Sequence, residues 1–93
     1  MNRSDLVDAI ASRFEHLSHR EAEACVKTIL DAMGHTLEQG GRIEVRGFGS
    51  FSVHDRPARM GRNPRSGEAV AIPAKQVPHF KAGKALREMV DVG

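Results

Sequence analysis

The sequence predicts an α+β fold, and three changes of pattern along the chain predict it. Apolar residues recur at helical spacing over residues 3–37, and they alternate with polar residues over residues 42–54. Residues 55–69 then hold almost no core-forming side chain, and their prolines and glycines exclude a continuous helix. We therefore expect a two-helix N-terminal hairpin, a three-stranded antiparallel sheet extended into a long β-ribbon arm, and a C-terminal helix.

The two N-terminal helices have recognisable starts. The first is predicted over residues 3–16, with Asn2 as its N-cap and Asp5 in the first turn, where the helix dipole favours an acidic group. Ser18 and Glu21 match a capping box at the start of the second helix, because each side chain can satisfy an orphan backbone N–H group of the other.

The second helix presents an apolar face that is wider than a helix hairpin can cover. The helix is expected to stop at Gly40 and Gly41. We expect its apolar face to pack on something beyond the first helix. The face comprises Ala22, Cys25, Val26, Ile29, Leu30, Met33 and Leu37.

The alternating segment predicts an antiparallel hairpin. Residues 42–46 and 50–54 form its strands, joined by a tight connection at residues 47–49. Its inward side chains are expected to be Ile43, Val45, Phe51 and Val53, with Phe48 beside them at the turn. Strand character resumes at Val70, Ile72 and Val77, and a last helix is expected over roughly residues 83–90, with Leu86, Met89 and Val90 as its apolar positions.

Size and composition limit what the chain can be. With 93 residues it is one domain with a small core, and its single cysteine excludes an internal disulfide and argues against a thiolate zinc site. Association with a second chain is the remaining source of stability. No apolar run is long enough for a membrane span, and the N-terminus lacks the apolar region of a secretory signal, so we expect a cytosolic protein.

The charge is divided unevenly. Residues 1–41 hold four basic and seven acidic side chains, whereas residues 42–93 hold ten and five. This asymmetry favours a polyanion partner for the second half, and an ordinary basic surface is the alternative.

Residues 55–69 carry the strongest functional pattern. Arginine in a narrow groove of DNA is stabilised by focused negative potential, and a rigid proline at a loop tip can unstack base pairs. The alternative is a disordered basic loop, since arginine at every third residue does not match a strand period of two. The residues concerned are Arg56, Arg59, Arg62, Asn63, Pro64 and Arg65.

Other basic residues form a second candidate patch, which could hold phosphates without reading sequence. Ordinary surface lysines would look the same. These residues are Lys75, Lys81, Lys84 and Arg87, with Arg3 at the start of the first helix. On the first strand, Glu44 and Arg46 share the outward face, so Glu44 could orient Arg46 in the minor groove; an isolated exposed ion pair is the alternative.

Rival functions have less support. The five histidines are scattered without metal-ligand spacing, and no nucleophile with a base can be identified, so we do not expect an enzyme, a metal or a cofactor. Cys25 on an apolar helix face is expected in the core. A protein-interaction module remains an alternative that a salt series separates from DNA binding.

Three runs of the sequence closely resemble the bacterial HU and integration host factor family. They are residues 43–51, with Arg-Gly-Phe-Gly-Ser-Phe; residues 61–67, with Gly-Arg-Asn-Pro; and residues 77–84, with Val-Pro-His-Phe-Lys. The resemblance spans essentially the whole chain and implies an intertwined dimer that bends double-stranded DNA through the minor groove. It further implies roles in nucleoid organisation, recombination, replication and regulation of transcription and translation.

The resemblance also assigns residues and segments. It implies Pro64 as the intercalating wedge, flanked by groove contacts. Residues 1–41 would be the helical dimerisation body, 42–77 the sheet and DNA-binding arm with its tip at about 61–67, and 78–93 the C-terminal helix. Further groove or phosphate contacts are Arg42, Glu44 and Arg46. Core or dimer contacts are Phe48, Phe51 and Phe80, which match the buried aromatic cluster of the family, with Ile29, Leu30 and Met33.

Two branches of the family are both represented. Glu44 and Arg46 resemble the beta-subunit branch of integration host factor, which pairs with a distinct alpha subunit. Residues 72–75 and 83–86 are more similar to HU, which often forms homodimers. Ala82 departs from the proline that family members usually carry there, which affects where the last helix starts. We favour the beta branch, with the HU-type homodimer as the alternative.

Overall fold

The computed structural model describes residues 1–91 and has the predicted α+β architecture. The order of its helices and strands confirms the prediction. The elements are α1 (Arg3–Arg13), α2 (His19–Glu38), β1 (Ile43–Val45), β2 (Gly49–Arg56), β3 (Arg59–Arg62), β4 (Ala69–Ile72), β5 (Lys75–Ala82) and α3 (Lys84–Val90).

Both N-terminal helices begin at capping boxes. Asn2 and Asp5 cap α1 reciprocally, and Ser18 and Glu21 do the same for α2. The hydrogen bonds from Ser18 lower the pKa of the Glu21 carboxyl group. The predicted end of the first helix at residue 16 was wrong, because Phe14 leaves the helical conformation (φ −119°, ψ 84°) after donating its N–H to the Ile10 carbonyl.

The core within the single chain is very small. Val7, Ala22 and Val26 are its buried apolar residues, and they lie where α1 packs on α2. Ile29 on α2 remains 57% exposed. Cys25, expected in the core, is exposed, because Ala22 and Val26 take the contact with α1 instead. The apolar face of α2 is thus left open, as its width predicted.

The strands form two antiparallel sheets. β1, β2 and β5 make a three-stranded sheet with β2 in the centre, and β3 pairs with β4 as a separate two-stranded ribbon, which we call the arm. Pro57 and Pro73 lie in the two segments between the sheets, where a residue without an N–H interrupts the ladder. The radius of gyration is 19.0 Å, against about 12 Å for a compact domain of this length, so the arm projects from the body.

The last helix, expected over roughly residues 83–90, is confirmed as α3, which follows the cap residue Gly83 directly. The wider segment 78–93 is not all helical. β5 continues through Ala82, because residues 78–82 pair with β2. In α3, Met89 and Val90 are exposed. The predicted segment 78–93 also includes residues 92 and 93, which lie outside the described residues.

Gly49 is the most tightly packed glycine among the described residues. A Cβ atom there would lie 2.5 Å from the Lys81 carbonyl oxygen and 2.7 Å from the Phe80 ring. We expect Gly49→Ala to lower the free energy of unfolding by about 2 kcal/mol, because overpacking against backbone cannot be relieved by a side-chain rotation. Gly34→Ala is the control, since nothing lies within 4 Å of its added Cβ. Equal stability of the two variants in urea unfolding would contradict this reading.

Candidate nucleic-acid interface

The tip of the arm is an ordered turn that presents Pro64. The N–H of Gly67 donates to the Asn63 carbonyl at 2.7 Å, and the N–H of Asn63 donates to the Glu68 carbonyl at 2.9 Å. Gly67 has φ +73°, a conformation that glycine adopts at no steric cost. Pro64 is exposed within this closed turn. The backbone therefore holds the proline in place before any ligand arrives.

Two polar side chains at the tip already have structural bonds. Arg62 donates from Nη1 to the Gly67 carbonyl at 2.9 Å, and the N–H of Arg65 donates to Asn63 Oδ1 at 2.9 Å. Because a backbone N–H requires an acceptor, the second bond fixes the Asn63 amide orientation and leaves its NH₂ group as the donor. Arg62 keeps further N–H donors for an anion.

The arginines of the arm are divided between its two faces, as their spacing predicted. The register pairs Arg59 with Ile72 and Arg62 with Ala69. Arg59 and Arg62 are three residues apart on one strand, so their side chains lie on opposite faces of the ribbon. Arg65 is in the turn. The arm thus carries cations around its circumference rather than along one face.

The three-stranded sheet has one polar, cationic face. Residues paired across β2 and β5 share a face, and Arg56 lies directly opposite Lys75, with Ser50 opposite Lys81. Two cations directly opposite one another repel, so a bound anion would lower the repulsion between Arg56 and Lys75. We call this surface the cationic face: Glu44, Ser50, Ser52, His54, Arg56, Lys75, Val77, His79 and Lys81.

An open cleft at the end of this face brings three residues of the predicted second basic patch together with the two arginines that flank β1. It has a volume of about 620 Å³ and lies between the β1–β2 turn, the end of β5 and the start of α3. Five cationic side chains line it, and backbone phosphates are the ligands that such a cluster fits. These are Arg42, Arg46, Lys81, Lys84 and Arg87.

The structure pairs Glu44 with Arg42 and not with Arg46. The Glu44 carboxylate accepts a hydrogen bond from Arg42 Nε at 3.0 Å. β1 ends at Val45, so Arg46 falls in the turn that the Phe48 N–H to Val45 carbonyl bond closes. Arg46 lines the cleft without that carboxylate as its orienting partner.

Arg3 lies apart from this cluster, on the helical base. It contributes with Lys27 to lowering the pKa of Asp31 on α2, the main cause being the hydrogen bond from Lys27 Nζ at 2.6 Å. Arg3 is not among the residues that line the cleft.

The predicted aromatic cluster is present, but its predicted burial is not reached within one chain. The Phe80 ring lies 4.7 Å from the Phe51 ring and 5.5 Å from the Phe48 ring. Phe48 is 45% exposed and Phe80 is 39% exposed, because these rings lie on the side of the sheet that little in the chain covers. Val45, expected inward, is 42% exposed for the same reason. On α2, Leu30 is exposed and Met33 is half-buried.

Sequence reasoning missed two side chains of the cationic face. His54 and His79 were set aside as scattered, yet their rings stack at a centroid distance of 4.3 Å. The outward alternation of Ser50, Ser52 and His54 was a usable signal. His79 could not be placed beside His54 without the register of β2 against β5.

Residues 1–91 contain no cluster of metal-ligating side chains. Nor does any helix in that range have the length and apolarity to cross a bilayer.

A projecting cationic ribbon with an exposed proline at its tip, attached to a sheet with a cationic face, defines a class of architectural DNA-binding proteins rather than enzymes. The chain belongs to the bacterial DNA-binding protein family, whose sequence profile matches residues 1–91.

Relatives within that family are similar over nearly the whole chain. The integration host factor subunit beta of Halorhodospira halophila is 62% identical over 91 residues, which cover 98% of this chain and 89% of the relative. That of Alkalilimnicola ehrlichii is 56% identical over 93 residues, covering 100% and 93%.

Solved structures agree with the fold. The Anabaena HU–DNA cocrystal structure matches with a TM-score of 0.88 and 39% identity, covering 100% of both chains. HU from Thermotoga maritima matches with a TM-score of 0.67 and 28% identity, covering 98% of this chain and 100% of that one.

Proposed function

We propose that this chain is a beta-type subunit of an integration host factor, which binds the minor groove and sharply bends duplex DNA by intercalating Pro64. The observation that carries the proposal is the exposed proline held in a hydrogen-bonded turn at the end of a cationic arm. Intercalation costs a few kcal/mol per unstacked step, and a bent duplex offsets that cost by contacting more protein. A wedge that is already ordered adds little entropy cost.

The neighbours of Pro64 suit the minor groove. Its floor presents acceptors on every base pair, which the Asn63 amide can approach as a donor. Arg59, Arg62 and Arg65 surround the arm, so cations face the focused negative potential of a narrow groove on each side.

The cationic face and the cleft are proposed to hold the flanks of the bent duplex. Phosphate contacts from these residues fix register and orientation. We propose that Arg46, which stands free of Glu44, contributes to sequence preference through groove shape, while Glu44 positions Arg42. The remaining contacts are Arg56, Lys75, Lys81 and Lys84, with Arg3 on the outer flank.

The open apolar surfaces support an intertwined dimer. Ile29 and Leu30 on α2, with Phe48 and Phe80 on the sheet, are large apolar side chains that the single chain leaves exposed, whereas Val7, Ala22 and Val26 are the only buried apolar residues among those described. A single chain with this core lacks the stability of a typical domain. We propose that residues 1–41 form the helical dimerisation body and that an integration host factor alpha subunit is the second chain.

In this reading the protein acts in the cytoplasm on the nucleoid. Bending brings distant segments of DNA together, which suits nucleoid organisation, site-specific recombination, replication and the regulation of transcription, and we include the regulation of translation in the proposal. The identity of 62% to a beta subunit favours this reading.

A homodimer of the HU type is the second candidate. The match to the Anabaena HU–DNA structure over all of both chains favours it. Co-expression with an alpha subunit separates the two. We expect a one-to-one complex that binds a bent-site duplex at least tenfold more tightly than the chain alone does, because specific binding exceeds nonspecific binding by roughly 10³-fold or more. Equal affinity and equal sequence tolerance of the chain alone would favour the homodimer.

A further inference from the structure

The stacked histidine pair is the part of the cationic face that the proposed function leaves unexplained. The rings of His54 and His79 are 4.3 Å apart and 20° from parallel, and both residues are exposed. They are diagonal neighbours on adjacent strands, since His54 is paired with Val77 and His79 with Ser52. The register of the sheet therefore sets their contact.

The charges around the pair are mostly positive. Along β2 the nearest charged group on the same face is Arg56, and along β5 they are Lys75 and Lys81. From the β1 edge come Arg42 and Glu44, which already pair with one another. Asp55 lies on the opposite face, where it accepts a hydrogen bond from Gln76. Among the described residues of this sheet, no carboxylate is thus placed to neutralise a charged imidazole pair.

Two stacked imidazolium rings among three cations repel one another unless an anion is added. Histidine is the side chain that changes charge between about pH 5 and 8 without special tuning. When protonated, its ring nitrogens both become donors, and a phosphate accepts such charge-assisted bonds. A phosphodiester that lies over the pair thus supplies the negative charge that two imidazolium rings in this cationic setting require.

We propose that His54 and His79 form a phosphate-binding site in the centre of the cationic face, which takes up protons when duplex DNA binds. The site rests on the proposed function in one respect, namely that the DNA lies across this face. It makes DNA affinity depend on pH, with tighter binding as the pH falls. The ligand is a backbone phosphodiester, so the effect is independent of base sequence.

The test measures the dissociation constant of the dimeric protein for a duplex at pH 8.0 and pH 6.0. We expect the unmodified protein to bind about threefold to tenfold more tightly at pH 6.0, because each proton taken up on binding steepens the pH dependence toward one decade per pH unit. The double variant H54Q/H79Q is expected to lose that gain. His19→Gln is the matched control, since His19 faces Asp8 on the helical base.

A salt series supplies the second readout. The slope of log K against log salt for the unmodified protein is expected to steepen at pH 6.0 by about 0.9 for each further phosphate neutralised, and the double variant is expected to show one slope at both pH values. Equal pH and salt responses in the unmodified protein and the double variant would overturn the histidine site. The Pro64-dependent bend would be unaffected by that result, so the two proposals fail separately.

Discussion

Pro64→Ala is expected to leave the bound duplex much straighter. Alanine is too small to fill the gap between separated base pairs, so the energy that offsets unstacking is lost. In energy transfer between dyes on the two ends of a short duplex, we expect the variant to lose roughly half or more of the transfer gained on binding, and its affinity to fall about tenfold. The turn at the tip survives, because its hydrogen bonds involve Asn63, Gly67 and Glu68.

Two further variants separate a wedge from a general effect on the arm. Pro64→Leu supplies another apolar wedge and is expected to restore most of the bend. Pro73→Ala alters an exposed proline at the base of the arm and is expected to bend DNA as the unmodified protein does. A Pro64→Ala protein with an unchanged bend would remove the wedge from the mechanism.

Ile29→Lys is expected to weaken assembly roughly a hundredfold and, with it, tight DNA binding. Ile29 is 57% exposed in the single chain, so the lysine costs the free chain little. In a dimer that covers this face, the charge would be buried without a partner, at a cost of about 3 kcal/mol or more, which is roughly a hundredfold in the dimer dissociation constant. Sedimentation velocity at micromolar concentration measures the change.

Thr28→Lys is the control for that experiment. Thr28 is exposed and lies about 100° around α2 from Ile29, outside the apolar face of that helix. It is expected to leave the dimer and its DNA affinity intact. A folded, stable monomer of the unmodified protein at the same concentration would contradict the dimer proposal directly.

Local chemistry made much of the fold predictable. Asn2 and Ser18 each precede an acidic residue at the third helical position, and these caps lie where they were expected. The change from helical to strand periodicity at residue 42 located the sheet, and the turn-forming residues 63–67 located the tip. Signals of this kind act over a few residues and need no knowledge of the tertiary structure.

The errors arose where the outcome depended on longer-range contacts. Arg42 and Arg46 flank Glu44 symmetrically in sequence and both lie one residue outside β1, but Arg46 falls in the turn closed by the Phe48 N–H to Val45 carbonyl bond, and Arg42 is the one that pairs with Glu44. β5 continues through residue 82 because every residue of the strand pairs with a residue of β2. The aromatic cluster is open because little else in the chain covers that side of the sheet, and residue patterning along a strand does not report what covers its face. His54 and His79 are 25 positions apart, and their stacking follows from strand register alone.

The most direct test of the mechanism places 2-aminopurine at successive positions of a bound duplex. This base fluoresces more strongly when it is unstacked. The wedge account predicts a rise confined to the step that each arm enters, present with the unmodified protein and Pro64→Leu and absent with Pro64→Ala. A bent duplex in which every position stays quenched, for all three proteins, would contradict the account.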